Sequence, residues 1–139
     1  MAGISNNQFD MGARALSAQL VRLNTITSNI ANAGAVSGSE EKAYRAMKPV
    51  FEAKYADDAE SSGVATVDVV DIQKSQKSVP RLSQPGHPLA DKDGFIYLSN
   101  VDVPEELVDM METSRQYQNT TEALNTMKSL TMQTLRLGT

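Results

Sequence analysis

The sequence predicts an α+β fold, mainly α: long N- and C-terminal helices packed as a coiled-coil-like pair, with a small β-containing, loop-rich middle region. Three observations carry that expectation. Apolar residues recur at alternating spacings of three and four at both ends of the chain, the signature of helices that lie along other helices. The stretch between them carries prolines, glycines and short β-branched runs instead. The last segment holds a set of helix start and stop signals. The expected division is 1–34, an N-terminal axial helix; 35–101, a middle region with short strands and a proline-rich loop; and 102–139, a C-terminal axial helix.

The C-terminal helix is the best defined. Asp102-Val103-Pro104-Glu105 reads as an N-cap, with a carboxylate to accept from free backbone N–H groups and a proline in the first turn. Glu105, Glu106, Asp109 and Glu112 load its start with negative charge, Lys128 and Arg136 sit late, and Gly138 is the expected stop. Its seam runs Leu107, Met110, Ser114, Tyr117, Thr121, Leu124. Beyond Leu124 the apolar positions broaden to Met127, Leu130, Met132, Leu135 and Leu137, so the last turns predict enclosure by several neighbours, some from other chains.

At the N-terminus Phe9, Ala13, Leu16, Leu20, Leu23, Thr27 and Ile30 supply the partner seam, with Gly34 as the expected stop. Between Met1 and Ser39 the only charged side chains are Asp10, Arg14 and Arg22; Asn, Ser, Thr and Gln take the places where an exposed coiled-coil helix carries Glu and Lys. Thr25, Thr27, Ser28, Asn29 and Asn32 each cost up to about 0.7 kcal/mol relative to alanine in a helix interior. The segment therefore predicts a helix that orders when neighbours cover several faces, with amides and hydroxyls meeting theirs.

In the middle, Val50–Tyr55, Val64–Ile72 and Phe95–Leu98 read as strands, with a polar turn through Asp57, Asp58, Glu60 and Gly63. Gln73 to Gly94 is an expected long loop, with Pro80, Pro85, Gly86 and Pro88 fixing an extended shape suited to an interface.

Composition narrows the function classes. The chain has 139 residues, no cysteine, and a net charge of -4 without a basic cluster, so a disulfide framework is excluded and nucleic acid is not an expected partner. No apolar run reaches the ~18 residues of a membrane span, and Met1 to Asn7 lacks the features of a cleavable signal peptide. His87 with Asp91 and Asp93 invites a metal reading, but Pro88 and the run Ala90–Gly94 fit a tight turn into a strand better, and a calcium loop would need oxygen ligands where Phe95 and Tyr97 stand. No nucleophile-base set or phosphate loop is present, so no enzyme activity, cofactor or metal is expected.

Ser17-Ala18-Gln19 followed by Thr25-Ile26-Thr27-Ser28-Asn29-Ile30-Ala31-Asn32-Ala33 resembles the N-terminal signature of the bacterial flagellar rod and hook proteins. Gln84-Pro85-Gly86-His87-Pro88-Leu89-Ala90-Asp91-Lys92-Asp93-Gly94-Phe95-Ile96-Tyr97, running into Asn100-Val101-Asp102-Val103, is similar to the proximal-rod members of that family, as is the helix that follows. The resemblance implies a structural subunit of the basal-body rod, exported by the flagellar type III apparatus and placed across the periplasm. Implied partners are copies of itself, other rod subunits, the basal-body ring and the export apparatus, without membrane insertion. The residues expected at assembly interfaces are Phe9, Leu16, Leu20, Leu23, Ile26, Asn29, Ile30 and Asn32 in front, Pro85 and His87 in the loop, and Leu107, Met110, Tyr117, Leu124, Met127, Leu130 and Leu135 behind. The alternatives are another axial rod or hook subunit, and a helical-hairpin adaptor or secretion chaperone.

Overall fold

A computed structural model describes residues 2–55 and 65–137. Helix α1 spans Ala2–Ala31 and helix α2 spans Val103–Leu137. Between them come β1 (Val36–Ser37), β2 (Met47–Tyr55), β3 (Ala65–Lys74), β4 (Arg81–Ser83) and β5 (Phe95–Leu98). The architecture is α+β, two long helices with small antiparallel sheets between them. The expected turn 57–63, the start of the second strand at Val64, and the stop at Gly138 lie outside the described residues.

The start of α2 is built as its sequence requires. Asp102 accepts from the Glu105 N–H through Oδ1 at 3.2 Å and from the Glu106 N–H through its carbonyl at 3.0 Å. The end of α1 differs from expectation. The helix closes at Ala31, three residues before Gly34, and among the described glycines only Gly94 has positive φ. A left-handed glycine is unnecessary because side chains take the terminal carbonyls: Asn32 Nδ2 donates to Ser28 O at 2.8 Å and Ser99 Oγ to Ala33 O at 2.7 Å.

The helical threonines also differ from expectation. Thr25, Thr27, Thr113, Thr120, Thr121, Thr131 and Thr134 each donate to the carbonyl four residues back, so their hydroxyls are satisfied within their own helix and their methyls remain for packing.

Strands β2 and β3 form a two-stranded antiparallel hairpin with an irregularity between Val50 and Phe51. A second sheet has the order β1-β5-β4, with Ile96 buried on its central strand. The long loop expected from Gln73 to Gly94 therefore contains the end of β3 and all of β4, which pairs with β5 from Arg81 to Ser83. Sequence reading missed β4 because two of its three residues are polar and all three are exposed. Asn100 sews the connections together: its Oδ1 accepts from Ala46 N–H at 2.7 Å and its Nδ2 donates to Lys77 O at 2.9 Å.

The loop before β5 is closed on itself. Asp91 Oδ1 accepts from the N–H groups of Asp93 and Phe95, and Oδ2 accepts from the Tyr97 hydroxyl at 3.2 Å. Gly94 takes φ +82°, and a Cβ there would lie 3.1 Å from Pro85 Cγ, so glycine answers both the turn and the close approach. The Phe95 N–H, more than any other group, holds the Asp91 carboxyl below its ordinary range. A depressed folded value stabilises the fold above the unfolded value and stops doing so as pH falls through the folded one. Asp91→Asn is expected to flatten the acid-side loss of the Tyr97 near-ultraviolet signal below roughly pH 4, measured by circular dichroism across a pH series.

Candidate assembly face

The helices run antiparallel. Gln19 Nε2 donates to Gln116 Oε1 at 3.1 Å, the Gly12 backbone meets the Leu124 side chain, and Asn29 Nδ2 donates to Glu106 Oε1 at 3.0 Å. The inward line of α2 is therefore Glu106, Thr113, Gln116, Thr120 and Leu124, and Thr113 is fully buried. This corrects the expected intramolecular seam. Taking ~100° per residue, the line Leu107, Met110, Ser114, Tyr117, Thr121 is turned on the order of 90° from that inward line. Leu107 is 47% exposed, whereas its neighbour Glu106 is 4% exposed. The same holds for α1, whose contact line is Gly12, Ala15, Gln19, Ile26 and Asn29; Leu20 is 46% exposed and Phe9, Leu16 and Leu23 are half-buried flanks.

The physical reason for the rotation is Asn29, 1% exposed and bonded on every side. Its Oδ1 accepts from Met47 N–H at 2.8 Å and from the Tyr44 hydroxyl at 3.1 Å, while Nδ2 donates to Met47 O at 2.8 Å and to Glu106. One amide thus pairs with both backbone groups of Met47 as a neighbouring strand would, and it draws Glu106 inward instead of Leu107. Burial pushes the Glu106 carboxyl above its ordinary range, with the Asn29 bond opposing. That shift works against the fold as pH rises through the folded value.

The charges collect on the side of the helix pair that carries the β2–β3 hairpin. Arg14 contacts Asp10 at 3.0 Å and Asp68 at 3.4 Å, Arg22 lies 4.0 Å from Asp109, and Glu105 receives both Lys48 and Lys77, at 3.1 and 3.0 Å. The opposite side is different. For adjacent antiparallel helices, positions displaced in the same rotational sense from the contact line fall on the same side of the pair. Phe9, Ala13, Leu16, Leu20, Leu23 and Thr27 of α1 therefore share one face with Leu107, Met110, Met111, Ser114, Tyr117, Gln118 and Thr121 of α2. Asp10, Arg14, Arg22, Asp109, Glu112 and Arg115 fall outside it and Glu122 lies at its rim beside Met111, so the middle of this face carries no charged side chain from Phe9 to Thr27 or from Leu107 to Asn125.

Other expected interface residues are distributed as follows. Ile26 and Asn29 are buried within the chain; Ile30 and Asn32 are half-buried at the end of α1. Leu124 and Met127 line a shallow groove between the helices with Met11 and Ala15. Leu130 and Leu135 are exposed on the last turns of α2. Pro85 is exposed and His87 half-buried, its Nδ1 accepting from Leu89 N–H at 3.1 Å. Among the described residues no group of three metal-ligating side chains exists, and no helix is long and apolar enough to cross a membrane. Sequence reading met Gln19 only in the N-terminal signature and did not single out Gly12, Thr113 or Gln116; an isolated glycine inside a helical pattern is the one signal that pointed to a close approach.

Two long antiparallel helices, charged on the side of a supporting hairpin and carrying partly exposed apolar residues on the other, suit a structural subunit. Residues 9–38 match the family model described as flagella basal body rod protein, and residues 92–137 match the one described as flagellar basal body rod FlgEFG protein C-terminal. The flagellar basal-body rod protein FlgC of Escherichia coli O6:H1 is 45% identical over 132 residues, covering 95% of this chain and 96% of that protein. The FlgC protein of Salmonella typhimurium is 43% identical over the same shares, and that of Borreliella burgdorferi is 28% identical over 89% of this chain and 91% of its own. The chain belongs to the FlgC family of flagellar basal-body rod proteins. It is a structural subunit of the rod, and its role is not enzymatic.

Proposed function

We propose that this subunit polymerises through its terminal helices, 1–34 and 102–139, in coiled-coil-like contact with the helices of adjacent subunits. Segment 35–101 buttresses the pair from the charged side. Its neighbours are copies of itself and other rod subunits, with the basal-body ring and export apparatus at the ends of the shaft. The observation that carries this reading is the apolar surface left open on both helices, at Leu20, Leu107, Met111, Leu130 and Leu135. Burial of such surface at about 25 cal/mol per Å² stabilises an assembled helix well beyond what a lone one has.

The same features suit export through the flagellar type III apparatus, to a shaft that crosses the periplasm and transmits torque. A helix rich in Asn, Ser and Thr unfolds readily, and assembly restores its order. The ion pairs tying α1 and α2 to the hairpin spread a twisting load over three elements. The purified subunit is expected to be a monomer whose helix ends are cut first by a protease at low dose and whose helicity falls short of the assembled state. Protease-resistant, fully helical termini in the lone chain, read by circular dichroism and limited proteolysis, would refute ordering on assembly.

A further inference from the structure

The geometry points to the cavity between α1, α2 and β2 as a binding site for a primary alkylammonium ion, the head group of a lysine side chain or of a small diamine. The cavity has a volume of about 270 Å³, and Ile26, Met47, Pro49 and Phe51 give it an apolar wall. Glu106 lines it from α2 and is only 4% exposed. One of its oxygens is answered, since Oε1 accepts from Asn29 Nδ2 at 3.0 Å. Among the described residues Oε2 has no hydrogen-bond or ionic partner. The charges that face Glu106 are Arg22 from α1, Lys48 from β2, and Glu105 and Asp109 from α2. Both cations are held elsewhere: Lys48 lies 3.1 Å from Glu105, which also takes Lys77, and Arg22 lies 4.0 Å from Asp109. A buried carboxylate oxygen left in this state lacks a donor, and an ionised group without one is costly.

The open oxygen also selects the donor. An anion is repelled by Glu106, and a guanidinium needs two oxygens in one plane, of which Oε1 is already taken. A divalent metal needs more ligands, and no group of three exists among the described residues. An ammonium is a point charge that one oxygen can serve, and its carbon stem suits a wall of Met47, Pro49 and Phe51. At about 30 Å³ per water-sized group, the cavity has room for a chain of five heavy atoms. Burial holds the Glu106 carboxyl above its ordinary range, and a cation seated against Oε2 brings it back down. The site lies on the hairpin side of the helix pair, so it stands apart from the exposed apolar face and does not depend on the rod-subunit reading.

The test titrates the purified full-length subunit with n-butylammonium chloride and follows the Asn29 side-chain amide by NMR, because that amide bonds Glu106. A saturable shift is expected. Its affinity should rise with pH as Glu106 ionises, and saturating amine should lower the pH at which Glu106 titrates. Glu106→Gln keeps an acceptor for Asn29 without the charge and is expected to weaken binding about tenfold or more. Phe51→Ala acts from a position that is 38% exposed, so the fold survives it; it is expected to weaken butylammonium about threefold and to leave methylammonium unchanged. No saturable shift, an equal shift from sodium or from neutral N-butylacetamide, or full binding by the glutamine form overturns the site. Nα-acetyl-lysine amide and cadaverine then separate the two sources. Tighter binding of the blocked lysine identifies a side chain of a neighbouring polypeptide, tighter binding of cadaverine a free diamine, and either result stands on a bound ammonium.

Discussion

Replacing Asn29 by alanine is expected to lower the stability of the subunit by about 3–5 kcal/mol, the upper end of what one side chain contributes. The amide makes four hydrogen bonds, to Met47 N–H, Met47 O, the Tyr44 hydroxyl and Glu106, in a site that water does not reach. Alanine leaves those groups buried without partners, and an orphaned buried donor or acceptor costs about 1–3 kcal/mol. It also removes the one bond that draws the Glu106 carboxyl back toward its ordinary range, so burial pushes that group further up. Asn29→Asp separates geometry from chemistry. It keeps an oxygen for Met47 N–H and Tyr44, but sets its second oxygen against Met47 O and the Glu106 carboxylate, so it is expected to be at least as damaging at neutral pH and to recover as acid protonates the pair. Urea unfolding at neutral and acid pH checks both variants. A loss under about 1 kcal/mol for the alanine form would show that the amide does not couple the helices to β2.

What was legible in the sequence follows from how local each signal is. The N-cap at Asp102, the strand Phe95–Leu98 and the turn Asp91–Gly94 are set by groups a few residues apart, and they stand as expected. The position of the contact line on each helix is not local. Three-four spacing predicted a seam, but it does not say which partner the seam meets; Asn29 and Gly12 decide that by turning a different line inward. Leu20 and Leu107 of the expected seam therefore face out, and the polar residues Asn29, Thr113 and Glu106 lie in. Burial of a glutamate was invisible because its justification, an amide 77 residues away, exists only in the folded chain. Strand β4 was missed for a related reason: its pairing with β5 comes from backbone groups rather than from apolar side chains.

Enlarging Gly12 is expected to force the helices apart at their far end. A Cβ at this position would run into Leu124 Cδ2 and lie 3.0 Å from its Cγ, inside any comfortable carbon contact. Alanine regains about 1 kcal/mol of helix propensity, and Leu124 is flexible enough to turn aside, so Gly12→Ala is expected to be close to neutral. Valine adds two methyls and a stiff χ1 in the same space, and overpacking of this kind costs about 1–3 kcal/mol. If the clash with Leu124 is the cause, shortening that side chain relieves it. Leu124→Ala alone is expected to destabilise by about 1–2 kcal/mol, less than a fully buried leucine because Leu124 is half-buried. Gly12→Val with Leu124→Ala should then be more stable than the sum of the singles by about 1–2 kcal/mol, a coupling that only residues in contact display. Strict additivity in the double-mutant cycle, measured by urea unfolding, would mean that α1 and α2 do not meet at Gly12 and that the antiparallel register drawn through Gln19–Gln116 and Asn29–Glu106 ends short of it.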